Sequence, residues 1–215
     1  MNEKRIVVAL AGNPNVGKSA IFNTLTGGRQ HVGNWLGKTI GRAEGVFHQG
    51  DWEIHQVDLP GTYSLAAQSP EEVIARDYIL SGEPDVVVDV VDTTCLERNL
   101  NLTLQSLELT DKVVIALNLM DEVRRQGWEI DFEGLEVALG VPVIPTVAVE
   151  GEGLSELAEA MVAVAEGRRR VHPATVDYGL TIEGHVRKLE ANLNSLGING
   201  RSRWVALRLL EDDPQ

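Results

Sequence analysis

The chain has 215 residues, 43% apolar and 24% charged, the balance of a globular protein with one sizeable core and a small appendage. A formal net charge of −13 argues against a general nucleic-acid binder, which needs a basic footprint. The one dense basic run, Arg168, Arg169 and Arg170, reads as the solvated end of a helix.

The single cysteine, Cys95, rules out an internal disulfide, fits a reducing compartment, and is expected to be a small buried residue. The N-terminus has no signal-peptide layout and no apolar run approaches the ~18 residues of a membrane span, so the chain as given is expected to be soluble and cytosolic.

In chain order, residues 6–11 form a β-branched run of the kind buried on both faces of a parallel sheet. "GNPNVGKS", residues 12–19, follows at once, and Ile21, Phe22 and Leu25 then mark a helix. This is the strand–loop–helix setting that the phosphate-binding pattern G-x-x-x-x-G-K-[ST] demands. Gly12, Asn13, Asn15, Val16, Gly17, Lys18, Ser19 and Ala20 are therefore the candidate phosphate cradle. Its glycines let successive N–H groups turn toward phosphate oxygens near a helix N-terminus. Lys18 offers charge to the β- and γ-phosphates, and Ser19 a hydroxyl to magnesium.

The next loop, "GNWLGKTI", contains Thr39, which would complete the magnesium shell while a triphosphate is bound. Residues 43–48 and 53–57, separated by "QGDW", read as a hairpin. Its second strand delivers Asp58, 40 positions after Lys18, as a magnesium-holding carboxylate. Gly61, in "DLPG", would give its backbone N–H to the γ-phosphate, where a side chain would obstruct close approach. Position 62 is a threonine. Ras-like switches carry there the glutamine that orients the attacking water, and here no Gln or Glu follows until Gln68.

Further β-branched runs occupy 86–91, 113–117 and 141–144. Between and after them, Leu96, Leu100, Leu104 and Leu107, then Leu154, Leu157, Met161 and Ala165, repeat at helical spacing. After the 113–117 run comes "NLMD". Asp121 can accept both hydrogen bonds from guanine N1–H and its exocyclic amine, a donor pair that adenine lacks. Asn118 would either tie this loop to the phosphate loop or contact the purine edge. Met120 belongs to the same candidate base site, as do Thr146, Val147 and Ala148, whose last N–H is placed to meet guanine O6.

The expected fold is α/β, a P-loop arrangement over residues 1–168. Its sheet would have six strands, mostly parallel, with one antiparallel edge strand. After a linker, "RRRVHPATVDYG", Ile182, Val186, Leu189, Leu193 and Leu196 form one amphipathic face, and Trp204, Leu207 and Leu210 begin another. Residues 169–215 are thus expected to be a small helical domain, which must pack on the α/β body or on further sequence.

The ordered set of motifs resembles the translation-factor-related branch of small GTPases. "GNPNVGKSAIFNTLTG", "VGNWLGKT" and "DLPGTYSL…SPEEVIARDYIL" resemble the cytosolic N-terminal part of the bacterial ferrous iron transport protein B family. The tail "RWVALRLLE" is similar to that family's helical domain. The resemblance implies a slow GTPase, converting GTP to GDP and phosphate with magnesium, that regulates ferrous iron uptake. It implies a membrane-embedded permease portion of the same polypeptide at the cytoplasmic face of the bacterial inner membrane, and a helical domain that stabilises bound GDP.

In place of the glutamine it implies potassium, caged by the Asn15 amide oxygen and the carbonyls of Gly33 and Trp35; Asn15, Lys18, Thr39 and Gly61 are then the catalytic set. No nucleic-acid partner is expected, and a homo-oligomer stays open. Departures from the family pattern are Leu119 for the usual lysine, Leu36 and Lys38 in the switch loop, and Thr146–Val147–Ala148 at the base. The five histidines show no ligand spacing for iron. A ribosome- or RNA-assembly GTPase and a nucleotide-binding module with negligible turnover share the same motifs and are the alternatives.

Overall fold

A computed structural model describes residues 4–35, 39–66, 68–197 and 202–211. The strands are β1 (Lys4–Gly12), β2 (Gln30–Asn34), β3 (Gly41–Gln49), β4 (Trp52–Asp58), β5 (Val86–Asp92), β6 (Val113–Asn118) and β7 (Val143–Pro145). They make one sheet in the order β2-β3-β4-β1-β5-β6-β7. Strands β4, β1, β5, β6 and β7 run parallel to their neighbours, whereas β3 is antiparallel to both β4 and β2. The helices are α1 (Lys18–Thr26), α2 (Pro70–Ser81), α3 (Leu96–Leu109), α4 (Met120–Arg125), α5 (Phe132–Leu139), α6 (Leu154–Ala165), α7 (Leu180–Ser195) and α8 (Ser202–Leu210).

The sheet corrects the expected strand count: there are seven strands among the described residues, and β2, not β3, is the edge on that side. β2 is "QHVGN", and His31, Val32, Gly33 and Asn34 are all exposed. With no face buried, it lacks the apolar alternation that marks a strand and is defined by its backbone pairing to β3 alone. The predicted strand at 141–144 forms later, as β7, while the carbonyl of Pro142 already accepts from Ile115 N. Cys95 is exposed at the turn between β5 and α3, so the expected burial is also corrected.

Two apolar layers sandwich the sheet. One, with Ile21, Phe22, Leu157 and Met161 of α1 and α6, covers Val8, Leu10, Val88 and Val90. The other, with Ile74, Tyr78, Leu102 and Leu107 of α2 and α3, covers Ala9, Val57, Val87 and Ile115. β5 and β6 are buried along almost their whole length, as the central strands of a doubly covered parallel sheet must be. Helix α2 starts at an N-cap, Ser69, with a reciprocal contact to the residue before it. Ser69 Oγ accepts from Glu72 N, and Glu72 Oε2 accepts from Gln68 N at 2.8 Å.

Helices α7 and α8 share a small cluster of Val186, Leu193, Ala206 and Leu207, while Trp204 joins the core layer on the α3 side. The linker is strapped to the end of α5: His172 N donates to Gly140 O at 2.8 Å and Ala174 N to Leu139 O at 2.9 Å. At the α3 end, the Tyr178 hydroxyl donates to Glu108 Oε1 at 3.0 Å. Arg203 forks onto Glu183 at 3.0 and 2.8 Å and onto the Val176 carbonyl at 2.7 Å. Thus the helical pair does pack on the α/β body, although Leu180 and Leu196 keep exposed side chains.

One core group is ionisable. Asp89, 1% exposed in mid-β5, accepts from Thr103 Oγ1 of α3 at 2.5 Å. Burial pushes its carboxyl up to about 6, against the smaller opposing effect of that hydrogen bond. The folded chain therefore holds a proton that the unfolded chain has released, between the ordinary value of 3.8 and about 6. Stability falls as pH rises through that window and stays lower above it. An Asp89→Asn substitution keeps an acceptor for Thr103 and is expected to flatten this pH dependence, with a gain of ~2 kcal/mol at neutral pH. Urea unfolding at pH 4.5 and 7.5 reads it directly, and parallel profiles for the two proteins would exclude the assignment.

Candidate functional site

The candidate residues converge at the carboxyl ends of β1, β4, β5 and β6, where an open parallel sheet places its ligand crevice. The loop from Gly12 to Gly17 leaves β1 and enters α1. Asn15 (φ 66°) adopts the left-handed conformation, which asparagine tolerates better than most residues. Gly17 also has positive φ, at 91°, and a Cβ there would run into the Asn118 amide. Lys18 and Ser19 open α1, with Lys18 buried and Ser19 exposed; Ala20 follows, half-buried.

Lys18 Nζ reaches Asp58 Oδ1 at 3.0 Å. A cleft of about 390 Å³ opens beside this pair, lined by Lys18, Arg42, Asp58, Leu59, Pro60 and Gly61. Gly61 passes tightly under the phosphate loop, since a Cβ would lie 3.1 Å from Pro14 Cα. Thr62, buried at 5% exposure, donates its N–H to Gly12 O at 3.3 Å. The motif "DLPGT" is therefore laid against the loop that begins at Gly12. Asn13 is 2% exposed, and both polar atoms of its side chain lack a partner among the described residues.

Thr39 stands exposed in a bend just ahead of β3. Gly33 lies in β2 opposite Arg42, and neither Gly33 nor Trp35 hydrogen-bonds to Asn15 among the described residues. The Trp35 ring is buried instead, edge-on to Tyr78 of α2 at 5.2 Å, with the Arg42 guanidinium 4.7 Å from its centroid. Trp35 N donates to Ile40 O at 3.0 Å. Leu36 and Lys38, the departures noted in this loop, lie outside the described residues.

At the base site Asn118 is a fully committed bracket. Its Nδ2 donates to Val16 O at 2.9 Å; its Oδ1 accepts from Ala148 N at 3.0 Å and from Thr146 Oγ1 at 3.3 Å. Of the two roles open in the sequence, the structure shows the tie to the phosphate loop. The Ala148 amide, expected to face guanine, is here engaged by Asn118. Leu119 adopts φ 66°, the second non-glycine residue with positive φ among those described, and turns the chain into α4. Met120 N then donates to Thr146 O at 3.3 Å, and Val147 N to Glu152 O at 3.1 Å. Asp121 keeps one buried carboxylate oxygen, Oδ1, without a partner among the described residues.

One supporting residue had no signal in the sequence. Thr93, 2% exposed just past β5, donates its hydroxyl to Asn118 O at 2.8 Å. Only the pairing of β5 with β6, which sets Asp92 opposite Asn118, brings it there.

Comparison with known proteins agrees with this geometry. A family model described as ferrous iron transport protein B matches residues 6–161. A Fe(2+) transport protein A/Fe(2+) transporter FeoB fusion protein of Porphyromonas gingivalis is 47% identical, over 98% of this chain and 26% of its own length. The Fe(2+) transporter FeoB of Escherichia coli is 41% identical, over 98% of this chain and 27% of its own. The chain thus spans about a quarter of the length of these relatives. The cytosolic domain of the T. maritima FeoB iron transporter superposes in a GDP form with a TM-score of 0.91 and 42% identity, covering 98% of this chain and 83% of that one. Its GMPPNP form gives 0.90 and 42%, covering 98% and 82%. On the family match across most of its length and these identities, the chain belongs to the ferrous iron transport protein B family.

Proposed function

We propose that this chain is the GTP-binding and slowly GTP-hydrolysing switch of a ferrous iron transporter, seated at the cytoplasmic face of a bacterial inner membrane. The observation that carries the reading is the buried, unpartnered Oδ1 of Asp121 in a loop braced to the phosphate cradle. A buried carboxylate oxygen without a donor is costly, and guanine offers the two adjacent donors that would satisfy it. Relatives support the rest: the T. maritima cytosolic domain is known in GDP and GMPPNP forms, and the longer relatives are Fe(2+) transporters. No helix among the described residues is long and apolar enough to cross a membrane. The permease is assigned to the remaining length of such a polypeptide because the chain spans about a quarter of the Fe(2+) transporters it matches.

In this reading residues 1–168 are the G domain. Gly12, Asn13, Asn15, Val16, Gly17, Lys18, Ser19 and Ala20 hold the phosphates. Asn118, Met120, Asp121, Thr146, Val147 and Ala148 form the base pocket. Ser19, Thr39 and Asp58 would hold magnesium, which when bound neutralises charge on the phosphates. The donor set fits a hard cation, being two hydroxyls and a carboxylate. Lys18 and Asp58 neutralise one another at 3.0 Å; a triphosphate and its metal offer each a new partner of opposite charge.

Among the described residues Thr62 has no titratable partner within hydrogen-bond reach, so general-base chemistry is not assigned to it. Charge relief is assigned to potassium at Asn15, Gly33 and Trp35, which requires the Trp35 end of the switch loop to approach the phosphates. The expected result is GTP hydrolysis, with ATP a poor substrate, several-fold faster in potassium than in sodium; Asn15→Ala should erase that difference while GDP still binds. Equal single-turnover rates in the two salts would exclude the potassium assignment.

Residues 169–215 are the helical domain, proposed as a brake on GDP release. Its attachments to the α/β body, through Tyr178–Glu108 and through His172 and Ala174 to the end of α5, are the contacts available for that role. Tyr178→Phe, which removes the bond to Glu108, should leave the chain folded and raise the rate of fluorescent GDP dissociation several-fold. An unaltered off-rate in a folded variant would refute the brake.

A further inference from the structure

Between Asp58 and Gln68 there is no Gln, Glu, Asp or His, and the Ser64 hydroxyl is engaged by Gln105 and Ala66 N, so in the proposed GTPase the water is assigned to the backbone of residues 61–65. Whatever fixes that backbone then controls the chemistry. Its near end is fixed by Leu59 N donating to Leu10 O at 3.0 Å and Thr62 N donating to Gly12 O at 3.3 Å. Its far end is held by a residue with no part in any nucleotide-binding motif. Gln105, mid-way along α3, accepts at Oε1 from Leu65 N at 2.7 Å and from Ser64 Oγ at 3.1 Å. Both acceptor positions of the amide oxygen are thus spent on the loop. The amide nitrogen donates to Asn101 Oδ1 one helical turn away, at 3.1 Å, which orients the side chain. Ser64 Oγ in turn accepts from Ala66 N at 3.0 Å, and Leu65 is 1% exposed in the core layer. Beside them Arg98, two turns earlier on α3, sets its guanidinium 5.8 Å from the Tyr63 ring.

We propose that Gln105 is a positioning residue for GTP hydrolysis, acting through the loop 61–65. It rests on the GTPase reading above. Only Tyr63 lies between the anchored Thr62 amide and Ser64, so the Gly61–Thr62 peptide inherits its position from both ends. Gln105 does not take over the absent water-orienting glutamine, because its amide is already committed to the loop. Its effect belongs in the step that needs alignment, not in the affinity for nucleotide, whose phosphate and base contacts come from Gly12–Ala20 and Asn118–Asp121. A displacement of about 1 Å at a reacting centre costs up to ~100-fold in rate.

The test is single-turnover GTP hydrolysis alongside binding of GDP and a non-hydrolysable GTP analogue, for the unsubstituted chain, Gln105→Ala, Gln105→Asn and Gln105→Glu. Alanine, and asparagine with its acceptor one methylene short, are expected to slow hydrolysis ~10–100-fold while both dissociation constants stay within about twofold. Glutamate, which keeps the acceptor for Leu65 N–H and Ser64 O–H, is expected to recover most of the rate. Hydrogen exchange at the Leu65 amide should accelerate in the alanine and asparagine variants and not in the glutamate one. Unchanged hydrolysis in alanine and asparagine overturns the inference, as does a parallel loss of affinity, which would mark a merely structural contact. If the unsubstituted chain binds GTP and never turns it over, the GTPase reading itself is removed and the inference with it, an outcome distinct from the other two.

Discussion

The site depends on one buried amide. Asn118 holds Val16 O, Ala148 N and the Thr146 hydroxyl together, and its own carbonyl is held by Thr93. At roughly 1 kcal/mol net per hydrogen bond, and more for each partner that its loss would strand in the interior, this bracket outweighs any surface ion pair here. It also dictates local sequence. Gly17 has no room for a Cβ because the Asn118 amide fills that space. The phosphate loop and the base loop, 100 positions apart in sequence, therefore form one rigid body before any ligand arrives.

That rigidity is consistent with a leucine standing where the general Asn-Lys-x-Asp motif has lysine. Leu119 takes φ 66°, a conformation costing ~1 kcal/mol for a residue with a Cβ. The neighbouring hydrogen bonds, from Thr93 on one side and between Met120 and Thr146 on the other, hold it there. The chain turns sharply at this point, and the turn sets Asp121 with one oxygen buried. What a lysine would add by covering the phosphate loop is separate from what the backbone needs at that position.

Much of this was legible in the sequence, for physical reasons. A phosphate cradle needs glycines, a lysine and a hydroxyl at fixed spacing after a strand, and the central strands must be apolar on both faces. Strand β2 was not legible, since a strand with both faces wet carries no pattern. The start of α2 was readable and missed: Ser69 and Glu72 have capping-box spacing, and Pro70 sits at a first-turn position. Neither Thr93 nor Gln105 could be found by pattern, because each acts across elements whose register only the folded sheet decides. The exposed Cys95 shows the limit of residue-type averages at a turn on the sheet's rim.

Helix α3 links these threads. It meets the switch loop through Arg98 and Gln105, the latter oriented by Asn101, and its last turn meets the segment leading into the helical pair through Glu108. Its inner face is unusually polar, with Asn99, Thr103 and Ser106 all buried. Thr103 is tied to Asp89 and Asn99 Oδ1 accepts from Asp92 N, so the helix is pinned to β5 by directional bonds as well as by packing. Such a helix resists sliding, because a shift along its axis would strand buried polar groups at ~1–3 kcal/mol each. The contact with the loop 61–65 and the Glu108–Tyr178 bond thus stand on one helix held in register with β5.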